Sequence, residues 1–418
     1  MTRTPLRQLR LVKTANVYKA GVSAGVLRRL PDSTEFLYSR EYLDTGGPPV
    51  AWSLPVRAQA FVAPAAAVPA FFAGLLPEGR RLTALRRSVG TSADDEFSML
   101  LAVGGDTIGD VQVVPAGDTP ADTASVTIDD FSSVVFAELF AQAIGPQPDR
   151  IALPGVQDKI SGQMLNLPVQ GRAQAYILKL NPPEFPHLVE NEHFFFRAAS
   201  HTRLRLAEEE LVHDQTGAPG LLVHRFDRIP EGDHLRPLAV EDACQVLDRW
   251  PGDKYVISTE EAITGLAQRC RAPGVAALEL YRLLVFAYLS GNGDLHGKNL
   301  AIMQDQRGEW RTTPAYDLPT SAAYGDRTMA LSIGGIIRQQ LSWPMLRTLG
   351  EEIGIPSRLA ASVIREQLAA AHIWIEELDQ LPFDANSIRN LRRLVRARIG
   401  HIQPDAQRGT HQPTQPNS

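Results

Sequence analysis

Residues 291 to 299 read Gly-Asn-Gly-Asp-Leu-His-Gly-Lys-Asn, and Ala-Tyr-Asp-Leu-Pro follows at 315 to 319. Asp294 and Asn299 share one short polar loop, and Asp317 comes after an intervening apolar segment. Carboxylate, amide and carboxylate in that order match the sequence in which protein kinases place a base and two metal ligands. Phosphoryl transfer needs positioning and charge neutralisation more than covalent help, so each type has a use. Asp294 is a candidate to accept or orient the proton of an acceptor hydroxyl. The Asn299 amide oxygen and the Asp317 carboxylate are hard oxygen ligands of the kind Mg²⁺ takes beside phosphate oxygens and water. Lys298 is placed to reach the transferred phosphate. His296 either orients the loop by a hydrogen bond or packs there. A lone Asp beside glycines would be ordinary turn chemistry, so the argument rests on the whole set.

The elements that must hold these groups are also readable. Ala276 to Leu289 is apolar nearly all round, as a buried helix behind the loop should be. Leu300 to Met303 is a short apolar run that predicts a strand leading toward Asp317. Ala175 to Leu180, Ala-Tyr-Ile-Leu-Lys-Leu, reads as a strand with one lysine inside it. A charge in such a run is costly unless paired, so Lys179 calls for an anion. A phosphate of ATP would serve, and so would a carboxylate from Glu190-Asn191-Glu192, which opens the next helix; the plain alternative is an edge lysine reaching solvent.

Two further segments are candidates for nucleotide contact. Gly155-Val156-Gln157-Asp158-Lys159 is a turn whose backbone N–H groups could fold over phosphates, although its single glycine falls short of G-x-G-x-x-G and alone reads as a hairpin turn. Leu221 to Arg228 is an apolar strand ending in His-Arg-Phe-Asp-Arg, where a linker between lobes would meet adenine through backbone groups and Phe226. The plainer reading is a strand with a surface salt bridge of Asp227 to Arg225 or Arg228.

Taken together, these residues resemble the HipA family of bacterial toxin kinases, serine/threonine protein kinases of toxin–antitoxin modules. The resemblance runs over most of the chain. It includes Phe71 to Gly79, Gly105 to Gln112, the Gly155 loop, Lys179, Glu190 to Glu192, Arg225 to Arg228, Glu241-Asp242, Lys254-Tyr255, the 294–299 loop and Asp317. It implies an α+β, two-lobed protein-kinase-like fold with an additional β-rich N-terminal subdomain. By resemblance, Asp294 is the catalytic aspartate with Lys298 beside it, and Asn299 and Asp317 hold magnesium. Gly155, Lys159, Lys179 and Glu192 serve the ATP phosphates, while the segment around His224 and Phe226 lines adenine. Known members phosphorylate aminoacyl-tRNA synthetases and are restrained by a small DNA-binding antitoxin, HipB, which implies a protein substrate and contact with DNA only through that partner.

One departure stands out. Members often carry a serine a few residues before the loop glycine, where self-phosphorylation silences the kinase. Aligning Gly155 puts Ala152 there, and alanine has no hydroxyl to modify. Self-inactivation at that place should be absent unless Ser161 or another residue substitutes.

The remaining features bound the reading. With 44% hydrophobic and 21% charged residues over 418 positions, the chain is an ordinary globular one of two to three domains. Cys244 and Cys270 offer neither a disulfide framework nor a zinc cluster and suit a reducing cytoplasm. No signal peptide is evident, and Pro64 and Pro69 interrupt the apolar stretch 61–76, so a soluble protein without a membrane span is expected. A net charge of −5 argues against a generally nucleic-acid-binding surface. Arg389, Arg392, Arg393, Arg396 and Arg398 lie on an expected C-terminal helix, best read as a solvated or salt-bridged face.

The order of elements predicts a β-rich N-terminal subdomain at 1–115, with strands over Asn16–Leu30, Glu35–Leu43 and Val50–Val56 and helices over Ala66–Leu75 and Asp94–Val103. A kinase-like amino lobe at 126–230, an α-helical carboxyl lobe at 238–402 and a disordered tail at 403–418 follow. Two rival functions share part of this pattern: a small-molecule phosphotransferase, which should lack the N-terminal region, and a non-catalytic ATP-binding partner of a DNA-binding repressor.

Overall fold

Alternation of apolar and polar side chains builds the first sheet. The structure, a computed structural model, describes residues 4–120, 126–128, 130–139, 165–170, 174–232, 234–337 and 340–404. Strands β1 (Thr14–Lys19), β2 (Val22–Arg29), β3 (Ser33–Tyr38), β4 (Phe61–Pro64) and β5 (Val111–Pro115) lie in the order β4-β3-β2-β1-β5. All neighbours are antiparallel. Every second residue of β1 and β3 is buried, which a sheet covered on one face requires. β1 turns into β2 at Ala20-Gly21, with φ of 48° and 80°, the positive values that a tight two-residue hairpin needs. Helices Ala70–Gly74, Gly79–Val89 and Glu96–Val103 add Phe72, Val89, Phe97 and Leu100 to the Val17, Leu27, Phe36 and Val113 core.

The expected strands here hold only in part. Asn16–Leu30 divides at the Ala20-Gly21 turn, and Glu35–Leu43 stops at Tyr38 because Ser39 caps a helix, Arg40–Thr45, by accepting the Tyr42 N–H. Val50–Val56 is no strand: Ala51 and Leu54 form an isolated bridge across a turn. Pro48, Pro49 and Pro55 lack the N–H a ladder uses. The first expected helix starts at Ala70, after Pro69, and the second at Glu96, where Asp95 accepts the Ser98 N–H.

A second sheet carries Lys179. β6 (Val126–Thr127), β7 (Leu165–Gln170), β8 (Ala175–Leu180), β9 (Glu209–His213) and β10 (Pro219–His224) lie in the order β6-β7-β8-β10-β9, parallel only between β6 and β7. Between β8 and β9 runs the helix Leu188–Ser200, whose Phe195 packs with Leu221 and Val223 of β10. Its first turn is fixed by Asn181, which accepts the Val189 N–H at 2.8 Å and donates to Glu190 at 2.8 Å. A hairpin, β11 (Arg228–Glu231) with β12 (His234–Pro237), leads into a three-stranded sheet of β13 (Val240–Asp242), β14 (Ala301–Gln304) and β15 (Trp310–Thr312).

The remaining mass is helical: Ala243–Val246, Thr259–Ala267, Pro273–Ser290, Trp343–Glu352, Ser357–Trp374 and Ala385–Ile402. Pro273–Ser290 is long and apolar enough to cross a membrane, but 72% of it is buried, and it serves as the core helix of this region. The arginines of Ala385–Ile402 are not one exposed face. Arg392 meets Asp379 at 2.8 Å and Arg396 meets Glu376 at 3.6 Å, while Arg398 is buried and donates to the carbonyls of Tyr288 and Arg327. Residues 405–418, most of the expected tail, lie outside the described residues.

A buried ionic cluster joins the first sheet's unit to the second. Arg225 donates to Asp227 at 3.1 and 2.9 Å and to Asp106 at 2.8 Å. Arg228 donates to Asp227 at 2.7 Å and to Asp106 at 3.0 Å, and Asp227 accepts the Gly109 N–H at 2.9 Å. The surface salt bridge expected for Asp227 is therefore corrected to an internal one. Burial alone would push the Asp227 carboxyl up, but Arg225 and Arg228 bring it down to about 2. Asp227→Ala leaves two buried guanidinium groups short of an anion and is expected to cost about 3–5 kcal/mol. Chemical denaturation of the two chains side by side measures this, and a loss under about 1 kcal/mol would mean the cluster is solvated like a surface pair.

Candidate functional site

The helix Pro273–Ser290 ends because Gly291, at φ 77°, takes the left-handed conformation and returns its N–H to the Tyr288 carbonyl. The chain then packs without side-chain room. A Cβ on Gly293 would lie 2.7 Å from Ser321 Oγ, and one on Gly297 would lie 3.0 Å from Cys244 Sγ and closer still to Ile257. Asn292 accepts the Asp294 N–H at 2.9 Å and donates to the Asp317 carbonyl at 3.2 Å. Gly293 donates its N–H to Ser321 Oγ at 2.8 Å.

The three residues singled out by spacing converge. Asn299 Nδ2 donates to the Asp294 carbonyl at 2.9 Å and to Asp317 Oδ2 at 2.9 Å. β14 and β15 bring the chain round from Asn299, and Asp317 sits at φ 58°, a strained value for a residue with a Cβ. Tyr255 donates to Asp294 Oδ1 at 2.8 Å. The amide of Asn299 turns its nitrogen, not the expected oxygen, toward Asp317. Exchanging the two ends of that planar group would set three oxygens, of Asn299, Asp317 and the Asp294 carbonyl, against one another, an arrangement that a hard cation between them would stabilise.

Lys179 finds its anion in both directions. Its Nζ donates to Glu192 at 2.7 and 2.9 Å and to Asp317 at 3.0 Å. The carboxylate of the following helix, weighed from sequence, is in place, and edge-strand exposure is ruled out because Lys179 is buried. Burial opposes the Lys179 charge, but Asp317 and Glu192 outweigh it and hold the ammonium protonated. Burial likewise pushes Asp317 up, and Lys179 reverses that to a net lowering. Glu192, wholly buried and sharing its cation with a second acid, is pushed up to about 7.

The remaining expected residues lie further from that cation. Lys298 does not face the Lys179 cluster: its Nζ lies 3.1 Å from Glu78 and donates to the Gly74 carbonyl at 3.1 Å, because a buried ammonium takes the anion in reach. Phe226 packs at 5.7 Å on Tyr316, the residue before Asp317, and His224 stands edge-on to Tyr176 at 4.5 Å. Gly155 and Lys159, and Ala152 and Ser161 with them, lie outside the described residues. Tyr255, Asn292 and Glu78 were named in motifs without a role, and each proves to touch the loop. Only Asn292, inside the Gly-Asn-Gly turn, carried a local signal.

Both weighed roles of His296 reduce to packing plus backbone contacts, its N–H donating to the Asp294 carbonyl at 2.8 Å. Its carbonyl accepts the Asn299 N–H at 2.9 Å and its ring stands edge-on to Tyr255 at 5.1 Å, while Nδ1 is buried without a hydrogen-bond partner. Burial first and Lys254 second lower its pKa from 6.5 to about 3. A lowered folded value means the unfolded chain binds the proton more tightly below 6.5, so this stability is whole above 6.5 and drains as pH falls toward 3. His296→Phe is expected to flatten the slope of unfolding free energy between pH 6.5 and 5 by about 1 kcal/mol per pH unit. Urea unfolding at several pH values gives that slope, and equal slopes in both chains would contradict the assignment.

Comparison with known proteins agrees with the geometry. A family model described as the HipA-like C-terminal domain matches residues 151–375, and one described as the HipA N-terminal domain matches residues 15–114. Y4mE of Sinorhizobium fredii, a protein named as a kinase, is 30% identical over 397 residues, covering 87% of this chain and 94% of the relative. The serine/threonine-protein kinase toxin HipA of Shewanella oneidensis is 28% identical over 286 residues, 63% of this chain and 65% of that one. In solved structures, HipA of Shewanella oneidensis, in complex with HipB and its operator DNA, superposes with a TM-score of 0.74 at 22% identity, over 93% of this chain and 97% of that chain.

Proposed function

The chain belongs to the HipA family and is a HipA-like kinase, and from that premise we propose how its own residues carry phosphate from ATP to a serine or threonine hydroxyl of a protein. The supporting observation is one run of contacts: Lys179 to Asp317, Asp317 to Asn299, Asn299 to the backbone of Asp294. Asp294 receives or orients the hydroxyl proton, with Tyr255 fixing one carboxylate oxygen. Asn299 and Asp317 would hold Mg²⁺, which supplies charge neutralisation on the phosphates. Lys179 faces the phosphates from the sheet, with Glu192 holding it in place, an arrangement in which Glu192 supports the ATP site without touching the nucleotide. Phe226, lying beside Tyr316 and Asp317, together with His224 lines the adenine side.

A regulatory setting follows from the family. The Shewanella relative is a toxin and was solved with HipB and operator DNA, so we assign to this chain a HipB-like antitoxin partner, DNA contact through that partner, a protein substrate of the aminoacyl-tRNA synthetase class and a cytoplasmic place of action. A small-molecule phosphotransferase is the weaker reading, since the N-terminal family match covers the region such an enzyme should lack. A non-catalytic partner is weaker too, because all three polar residues are kept and stand in contact.

Asp294→Ala and Asp317→Ala are each expected to abolish transfer of labelled phosphate from ATP to protein in a host-cell lysate, by a factor of at least about 10². Both chains should keep a cooperative unfolding transition. Full transfer by a folded Asp294→Ala chain would overturn the role of that carboxylate, and identifying the labelled protein would test the substrate class.

A further inference from the structure

Glu78 carries the N-terminal unit's contact with the candidate loop. It lies in Leu75-Leu76-Pro77-Glu78-Gly79, between the end of one helix and the first turn of the next. Its carboxylate is 2.5 Å from Lys254 Nζ and 3.1 Å from Lys298 Nζ. Each lysine borders a residue of the site. Lys254 precedes Tyr255, whose hydroxyl reaches Asp294, and its own carbonyl accepts the Gly297 N–H at 2.9 Å. Lys298 precedes Asn299, the residue in contact with Asp317. The Gly74 carbonyl, from the same N-terminal turn, holds Lys298 from a second side.

A nearly buried ammonium stays in one place only where an anion holds it, and a carboxylate shared by two fixes both. Burial pushes the Glu78 carboxyl up, yet Lys298 and Lys254 bring it down to about 2, so it is ionised throughout the physiological range. We infer that Glu78 is a positioning residue for phosphoryl transfer: by clamping Lys254 and Lys298 it fixes Tyr255 against Asp294 and Asn299 against Asp317, making the reactive geometry depend on the N-terminal unit. A side chain placed to block the site would compete for Lys179. Lys179 is instead held by Glu192 and Asp317, and Glu78 pulls on the flanks of the loop. The inference rests on the reading of Asp294 and Asp317 given above.

The test uses the full chain with Mg²⁺ and γ-labelled ATP, following phosphate release to water, together with amide hydrogen exchange. Glu78→Gln keeps the shape and removes the charge; Glu78→Asp keeps the charge. Glu78→Gln is expected to lower kcat by about 10- to 100-fold, with KM for ATP changed less than about twofold, since misplacement by about 1 Å costs rates of that order. Glu78→Asp should recover part of the loss. Amides of residues 292–299 should exchange faster in Glu78→Gln, while those of β1–β5 and of Ser357–Trp374 keep their rates. Wild-type or faster turnover in Glu78→Gln overturns the inference, as does unchanged exchange in the loop whatever the turnover, or a loss shared by kcat, KM and exchange along the whole chain. Asp294→Ala measured alongside separates the layers. An active Asp294→Ala sinks the site reading and this inference with it, whereas an inactive one beside a fully active Glu78→Gln sinks only the clamp.

Discussion

A single ammonium group shared by one fully buried and one partly buried carboxylate organises this molecule. Lys179 comes from a strand, Glu192 from the helix that follows, and Asp317 from a strained turn 138 residues beyond Lys179. In a medium of low effective dielectric none of the three could stand there alone, since an unpaired buried ion costs several kcal/mol. The sheet and the helical region are thus held in register by charge as well as by apolar packing. The strain at Asp317 is offset by what surrounds it: Asn292 takes its carbonyl, Asn299 and Lys179 its two oxygens.

Around that centre the loop is rigid because it has no spare volume. Glycine at 293 and 297 lets backbone lie against Ser321, Ile257 and Cys244 where a methyl group would not fit. Polar side chains then use the approach: Asn292 braces both Asp294 and Asp317, and Tyr255 braces the Asp294 carboxylate. A group held this way needs little reorganisation at the moment of reaction, which is where much of an enzyme's rate advantage lies.

How much of this was legible depended on range. The Asp294, Asn299 and Asp317 set was readable because its members are joined by short elements of plain pattern, an apolar helix behind and an apolar strand ahead. Lys179 was readable because a charge inside a strand demands a partner, and the next helix offered one thirteen residues on. Glu78 was not, since the partners that give it a role are 176 and 220 positions away and nothing local distinguishes it from a helix-start acid. Asp227 looked like a surface residue for the same reason: its neighbour Arg225 is local, but Asp106 and Gly109, which bury the pair, come from the distant loop just before β5. Val50–Val56 misled in the opposite way, having strand-like composition and prolines that forbid a ladder.

Arg398 has a consequence for the order of events during synthesis. Its buried guanidinium binds the Tyr288 carbonyl, two residues short of the end of the helix behind the loop, and the Arg327 carbonyl, ten residues past Asp317. The back of the candidate site is therefore closed by Ala385–Ile402, a helix that follows every residue of the site in chain order. Chains emerge N-terminus first, so a ribosome-bound intermediate lacks that closure until residues 385–402 have cleared the exit. A chain still lacking residues 385–402 therefore lacks the buried cation that ties the helix behind the loop to the segment after Asp317.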